Sequence, residues 1–357
     1  MILADLDQEL AARIAGLVAD GTLPPAAARI APGRTWRPGP DGDPASFATS
    51  VAFELAALAG GDPAGIAASL AAPIALLPWV VAAEPTGGGY LTIAVTARAL
   101  GQAAARLAAA GPAAGRSTIL AGTATAVPPW PDLAAAPDWR HAWKSHATAM
   151  TGRLAAAAGA QATIITTGER RASAANAPGT RQPTVPAVMA WYGVPVVRYG
   201  LARTAPGQVA QLDRLLQPGS YGTDPLYPVQ HAETSAASVL RWAADLGRHV
   251  DDPVELAGEL LRSRAERTLL GMLPWLPVRV AAAARRHRPD ELPGYLEAVA
   301  AAWIAVRQVA PALPFGGRAA PADAALAAAR LLLARAVRAV LASGLALTGA
   351  SVCGVDD

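Results

Sequence analysis

Few side chains in this sequence combine the type and spacing that chemistry needs. The richest stretch is HAWKSHATAMTGRLAAAAGA, residues 141–160, with two of the five histidines and the chain's only lysine, Lys144. His141 and His146 stand five residues apart with no carboxylate read beside them, so they predict no zinc site and the metal ligands are expected to be none. Cys353 is the sole cysteine, which excludes an intramolecular disulfide and a cysteine cluster for zinc. Gly87-Gly88-Gly89 reads as a turn rather than a phosphate loop, because no GK(S/T) follows it. No GxSxG and no Cys/His pair offers a nucleophile.

These residues need elements to position them, and the pattern supplies several. Apolar residues make up 53 % of the 357 and charged residues 16 %, ample for a buried core and two or three domains. The Ala-rich helical runs match the bias of a GC-rich genome and carry no functional weight. Residues 3–18 repeat apolar positions at helical spacing. Ser46 reads as the start of a helix that ends at Gly60-Gly61. Asp62-Pro63 then reads as an N-cap with proline in the first turn. Two strands flank the glycine triplet within 78–95, and a helix follows. Residues 111–140 read as loop, 141–158 as helix and 162–167 as a strand. Helices are expected at 205–216, 229–248, 253–272, 275–288, 290–310 and 322–343, with Asp252-Pro253 and Asp290 as starts and Gly344 as a stop. The predicted architecture is an α+β amino-terminal module (1–110), a remnant α/β middle (111–205) and an all-α helical bundle (206–357).

Charge is uneven along that order. Residues 1–110 hold 6 basic and 9 acidic side chains, 111–205 hold 9 and 3, and 206–357 hold 15 of each. A basic middle can attract phosphate backbones. The amino terminus lacks the basic region of a secretory signal, and the apolar run 70–83 is too short to span a bilayer. The expected location is the cytoplasm, with no membrane partner.

Three stretches resemble arginyl-tRNA synthetase, a class I aminoacyl-tRNA synthetase family. In the first, Gly42, Asp43, Phe47, Ala48, Thr49, Ala52, Leu55 and Ala56 match that family's GD-(F/Y)-(A/S)-T-N-x-A-x-x-L-A, with Ser50 in place of the Asn. Asp62-Pro63, Ile66-Ala67 and 89–93 (GYLTI) follow in the family's order. In the second, Arg198 and Tyr199 match the end of a GPDALRYFLLSR-like segment, while the name-giving Asp and Ala are missing. Residues 224–232, DPLYPVQHA, match NPVYYVQYA. Pro289, Leu292, Tyr295, Leu296, Val299 and Ala300 match PxxLxxYLxxLA, and Trp303 follows, but Val306 and Arg307 stand where aromatics continue. Gly344, Leu345, Leu347 and Gly349 match the GLxLLG ending. The resemblance implies an amino-terminal tRNA-contacting domain touching the elbow of the RNA and a carboxy-terminal DALR anticodon-binding domain.

Between those parts the resemblance requires a nucleotide-binding domain, and the middle is too short for a full one. Aligned with HVGHARGA, the HIGH signature falls on Trp143, Lys144, Ser145 and His146, of which only His146 is retained. The KMSKS region would fall near SAANAPGTR, 173–181, which has no lysine. Such signatures act by positioning and charge stabilisation, and each lost donor removes about 2.7–4 kcal/mol. The resemblance therefore implies a tRNA-binding pseudoenzyme with no cofactor, ATP entering only if ligase activity survives. The alternatives are an active shortened arginine–tRNA ligase and a protein-interaction module without RNA. Expected RNA contacts are Arg262, Arg264, Arg285, Arg286, Arg288 and Arg307, with Tyr227 and Trp303 as stacking rings and Gln230 and His231 beside them.

Overall fold

The computed structural model describes residues 2–165, 184–211, 224–248, 256–313 and 323–351. The chain divides into two compact units. One collects Met1–Ala110, Ala237–Val278 and Ala302–Val337; the other collects Gly111–Ala236, Arg279–Ala301 and Arg338–Asp357. An α+β amino-terminal region is followed toward the carboxy end by helices, as the sequence predicts.

In the first unit, α1 (Ile2–Ala19) buries Leu6, Leu10 and Ile14, a spacing of four that places them on one face. Strands β1 (Trp36–Pro38), β2 (Ser46–Thr49), β3 (Val80–Thr86) and β4 (Tyr90–Val95) form an antiparallel sheet in the order β1-β2-β4-β3. Leu91, Ile93 and Val95 alternate inward from β4. Gly87, Gly88 and Gly89 all take positive φ, which lets the chain reverse between β3 and β4. Helices α2 (Val51–Ala59), α3 (Pro63–Ile74) and α4 (Ala97–Ala110) complete this part. The Asp62 carboxylate caps α3 by accepting from the Ala64 and Gly65 amides at 3.2 and 3.0 Å.

One expectation fails here. Ser46 begins a strand, not a helix; all four residues of β2 are buried between β1 and β4, and the helix starts only at Val51. Pairing on both sides of β2 overrides the helical reading of SFATS. Ser50, which stands where the family Asn would, is the N-cap of α2 but makes no side-chain cap bond. The hydroxyl of Thr49 instead accepts from the Val51 amide at 3.2 Å and also pairs with the hydroxyl of Thr35.

The second unit contains a strand–helix–strand motif that pattern reading only half found. β5 (Ala124–Val127) lies in the stretch read as loop and pairs in parallel with β6 (Gln161–Ile164). Between them runs α5 (Trp139–Ala157), capped by Asp138, which accepts from the His141 amide at 2.8 Å. β5 runs close against α5: a Cβ on Gly152 would collide with the Ala126 carbonyl, so the close approach needs glycine. Helices α6 (Val185–Tyr192) and α7 (Val194–Arg203) pack on α5 through Trp139, Ala142, Val188, Val197 and Leu201.

The carboxy-terminal helices are α8 (Tyr227–Asp245), α9 (Arg264–Met272), α10 (Leu276–Arg285), α11 (Glu291–Val309) and α12 (Ala324–Thr348). The helix expected at 253–272 is a short 3-10 turn, Gly258–Leu260, and then α9. A capping box sets that start: Ser263 accepts from the Glu266 amide, and Glu266 accepts from the Ser263 amide. The helix expected at 205–216 is described as a 3-10 turn, Pro206–Gln211, and its remainder lies outside the described residues. Gly344 does not stop α12, which continues to Thr348, and Gly349 (φ 72°) takes the left-handed position instead. Gly344 is needed in the helix interior because a Cβ there would strike Leu296. By length and composition α12 could cross a membrane, but most of its apolar window is buried inside the protein. The segments 173–181 and 252–253, Thr166-Thr167 and Cys353 lie outside the described residues.

Candidate functional site

The four-residue HIGH remnant sits on the first half of α5. Trp143 donates its indole N–H to the Thr204 carbonyl at 2.9 Å. The Ser145 hydroxyl donates to the His141 and Ala142 carbonyls of its own helix, at 2.8 and 3.1 Å. Lys144 is exposed. His141 does have a carboxylate beside it, which corrects the sequence reading: Asp138 Oδ1 lies 2.8 Å from its Nδ1. Both groups are largely exposed, and the pair serves the helix cap.

His146 differs from the other three. It is 0 % exposed, and neither ring nitrogen finds a well-formed hydrogen-bond partner among the described residues. Its ring stacks on Trp130, with centroids 5.1 Å apart and planes 21° apart. The Arg153 guanidinium carbon lies 4.0 Å from the Trp130 ring centre and that of Arg198 5.5 Å. Burial drives the His146 pKa down to about 3, helped by the charges of Arg198 and Arg153, while the nearby Thr348 backbone opposes the shift weakly. The imidazole is therefore neutral at physiological pH. Burial and then Arg198 also lower the Arg153 pKa. Sequence reading missed Trp130, Arg153 and Arg198 as neighbours of His146, because 23 and 45 residues separate Arg153 from Trp130 and from Arg198.

The expected RNA contacts fall into two sets. In the second unit, Tyr227 is 61 % exposed and stacks on His231 four residues on, with centroids 5.6 Å apart. Gln230 is half-buried on the same helix. Arg286 pairs with Glu291 at 3.2 Å, and Arg288 grips Asp290 with two nitrogens at 2.9 and 2.7 Å. These two guanidiniums are already engaged with carboxylates, and Arg285 is half-buried with an interaction of its own.

In the first unit, Arg262 and Arg264 are exposed, as is Arg267 one turn further along α9. Trp303 is a correction: only 3 % exposed, it is a core residue and cannot receive a base on its face. It backs a groove whose lining includes Val306, Arg307, Arg330 and Trp242. Trp242, 47 % exposed, is the aromatic on that groove available for stacking. Burial lowers the Arg307 pKa, so its charge is only partly solvated. Arg330 is committed to the nearly buried Glu266 at 2.7 Å and to the Pro311 carbonyl at 3.0 Å. The available sequence signal for Trp242 was the adjacent Arg241, and the pair lies beyond the matched segment 224–232.

Residues 229–354 match the DALR anticodon binding domain family, a range that takes in most of α8 with Trp242 and the helices α9 to α12. The chain thus carries a DALR anticodon-binding domain at its carboxy end. Across 164 residues it is 34 % identical to the arginine–tRNA ligase of Micrococcus luteus, a stretch covering 45 % of this chain and 29 % of that relative. The chain is arginine–tRNA-ligase-like over that part and spans less than a third of the curated relative's length.

Proposed function

We propose that this protein binds tRNA, of the arginine type by its relative, and does not aminoacylate it. The observation that supports RNA binding is the DALR anticodon-binding domain over 229–354. The first unit offers Trp242 as a stacking ring and Arg262, Arg264 and Arg267 as phosphate contacts. In the second unit, Tyr227 and His231 offer a further exposed ring pair. Base–aromatic stacking and guanidinium–phosphate contacts are the physical means by which unpaired loops are gripped.

Silence in catalysis is supported by the fate of the HIGH remnant. Activation of a carboxylate by ATP needs cations and donors aimed at developing phosphate charge. Here the only lysine points to solvent, the Trp143 and Ser145 donors are satisfied by carbonyls, and His146 is neutral behind Trp130. A cytoplasmic location is part of the same proposal.

Two assays test the proposal together. A fluorescence titration with total tRNA at increasing salt is expected to show micromolar or tighter binding that weakens about tenfold between 50 and 200 mM salt, as release of a few counterions requires. Arginine-dependent ATP–pyrophosphate exchange is expected to be absent. Exchange above background would establish the ligase reading, and stable protein without RNA affinity that captures a protein partner in pull-downs would favour a protein-interaction module.

A further inference from the structure

The strand–helix–strand motif of the second unit ends on an open edge. Among the described residues β5 and β6 make up the whole of their sheet, and they run parallel. Parallel strands normally lie inside larger sheets covered on both faces, and a sheet of two strands is marginal in water. Here α5 lies against β5, where Gly152 meets the Ala126 carbonyl, whereas all four residues of β6 are exposed. Ile164 is 78 % exposed and Ile165, next along, 41 %.

The backbone shows which groups this edge offers. The Gln161 amide donates to the Thr123 carbonyl at 2.8 Å and the Ile165 amide to the Val127 carbonyl at 3.2 Å. Residues 161, 163 and 165 therefore face β5, while Ala162 and Ile164 turn their N–H and C=O groups to the other side. The devices that usually guard such an edge are missing. No charged side chain occurs from Leu154 to Gly168, no proline lies in 161–165, and the β5–β6 register is continuous.

The four outward backbone groups match a second copy of themselves. In an antiparallel pair with Thr163 on a two-fold axis, Ala162 lies opposite Ile164 of the second copy, and each such pair exchanges two N–H···O bonds. Ala162 and Ile164 then make apolar cross-strand pairs on one face. On the other face the two Thr163 side chains meet, with Ile165 beside Gln161. The uncharged edge brings no like charges together. This match of the strand to itself selects a second copy over a foreign strand.

We infer that β6 is a self-association edge, which joins two copies of the chain into one four-stranded sheet in the order β5-β6-β6-β5. About five residues a side meet, against the roughly 20–30 of a standard interface, so the dimer is weak, with a dissociation constant on the order of 0.1–1 mM. This goes beyond the RNA reading and does not depend on it.

The test is sedimentation velocity of the full chain from about 10 μM to about 1 mM, joined to oxidative cross-linking that reads the register. Sedimentation is expected to move from monomer toward dimer across that range. Thr163→Lys sets like charges opposite each other and is expected to weaken association at least about tenfold with unchanged helical circular dichroism. In a Cys353→Ser background, Thr163→Cys is expected to give a disulfide-linked dimer, because directly opposite residues of a non-hydrogen-bonded pair stand about 4.5 Å apart between Cα atoms. Gln161→Cys, which faces Ile165 instead, is expected to cross-link at least about tenfold less. A monomer throughout the range overturns the inference, as does a dimer indifferent to Thr163→Lys, or equal cross-linking at 161 and 163. If Thr163→Lys fails to fold, the contrast between the two cysteine variants decides alone. Binding of tRNA is read separately, so loss of one conclusion leaves the other standing.

Discussion

Acidification below pH 6.5 is expected to weaken this protein through His146, and Phe in its place should remove that part of the loss. In the unfolded chain the imidazole titrates near its ordinary 6.5; in the folded protein it holds no proton until about pH 3. Between those values the unfolded state binds one more proton than the folded state, so stability rises with pH and falls on acidification. Each pH unit is worth about 1.4 kcal/mol. From pH 7.5 to 5.0 the loss through this residue is about 2 kcal/mol, because titration spans only the part of that range below 6.5. His146→Phe keeps a ring against Trp130, 5.1 Å away between centroids, and has nothing to protonate. Arg153 and Arg198 face the site and stay charged throughout this range. Urea unfolding of both proteins at pH 7.5 and 5.0 gives the answer as a difference of differences. Equal losses in the two proteins would show that the imidazole is solvated or already partnered, and would refute the burial argument.

Asp7 carries the opposite sign. Burial raises its pKa from 3.8 to about 6, with the Trp36 indole N–H at 2.5 Å opposing the shift. A raised pKa stabilises fully below 3.8, and that stability is lost as pH rises through 6. Asp7→Asn keeps an acceptor for Trp36 and should add up to about 3 kcal/mol at pH 7.5; no gain in the urea midpoint would show the carboxylate to be well solvated. Glu266→Ala strands Arg330, 2.7 Å away, and removes half of the α9 capping box, so urea unfolding should register a loss of about 3–5 kcal/mol. Trp242→Ala should weaken tRNA binding by about 1–3 kcal/mol with little change in melting temperature, whereas Trp303→Ala should cost stability first.

Much of the fold was readable because its signals are local. Asp62-Pro63 names its own cap, the glycine triplet its own turn, and the α1 and α12 helices their own apolar faces. Ser46–Thr49 reads as helix only by continuity with the Ala/Leu-rich run that follows; Ser, Phe and Thr are weak helix formers, and two neighbouring strands, one of them far along the chain, hold the segment extended. β5 was missed because four half-exposed residues among prolines carry no period, and only pairing with β6 makes them a strand. Gly344 and Gly349 exchange roles for a similar reason: Leu296 decides which of them must lack a side chain in the helix.

The candidate site was legible by motif and not by environment. Spacing located Trp143 to His146 on one helix, but it could not show that Trp130 comes over His146 from an earlier loop, or Arg198 from α7. The motif match named Trp303 as a stacking ring, but Trp303 is buried and Trp242 is the exposed ring on that groove. Arginine count alone likewise could not separate Arg288, held by Asp290, from the exposed Arg264 and Arg267.

The most direct test of the central claim is a salt-dependent titration of the intact protein with total tRNA. Binding at micromolar concentration or tighter, with affinity falling linearly in the logarithm of salt, is the expected result. No binding at 50 mM salt by a protein with a cooperative unfolding transition would contradict it.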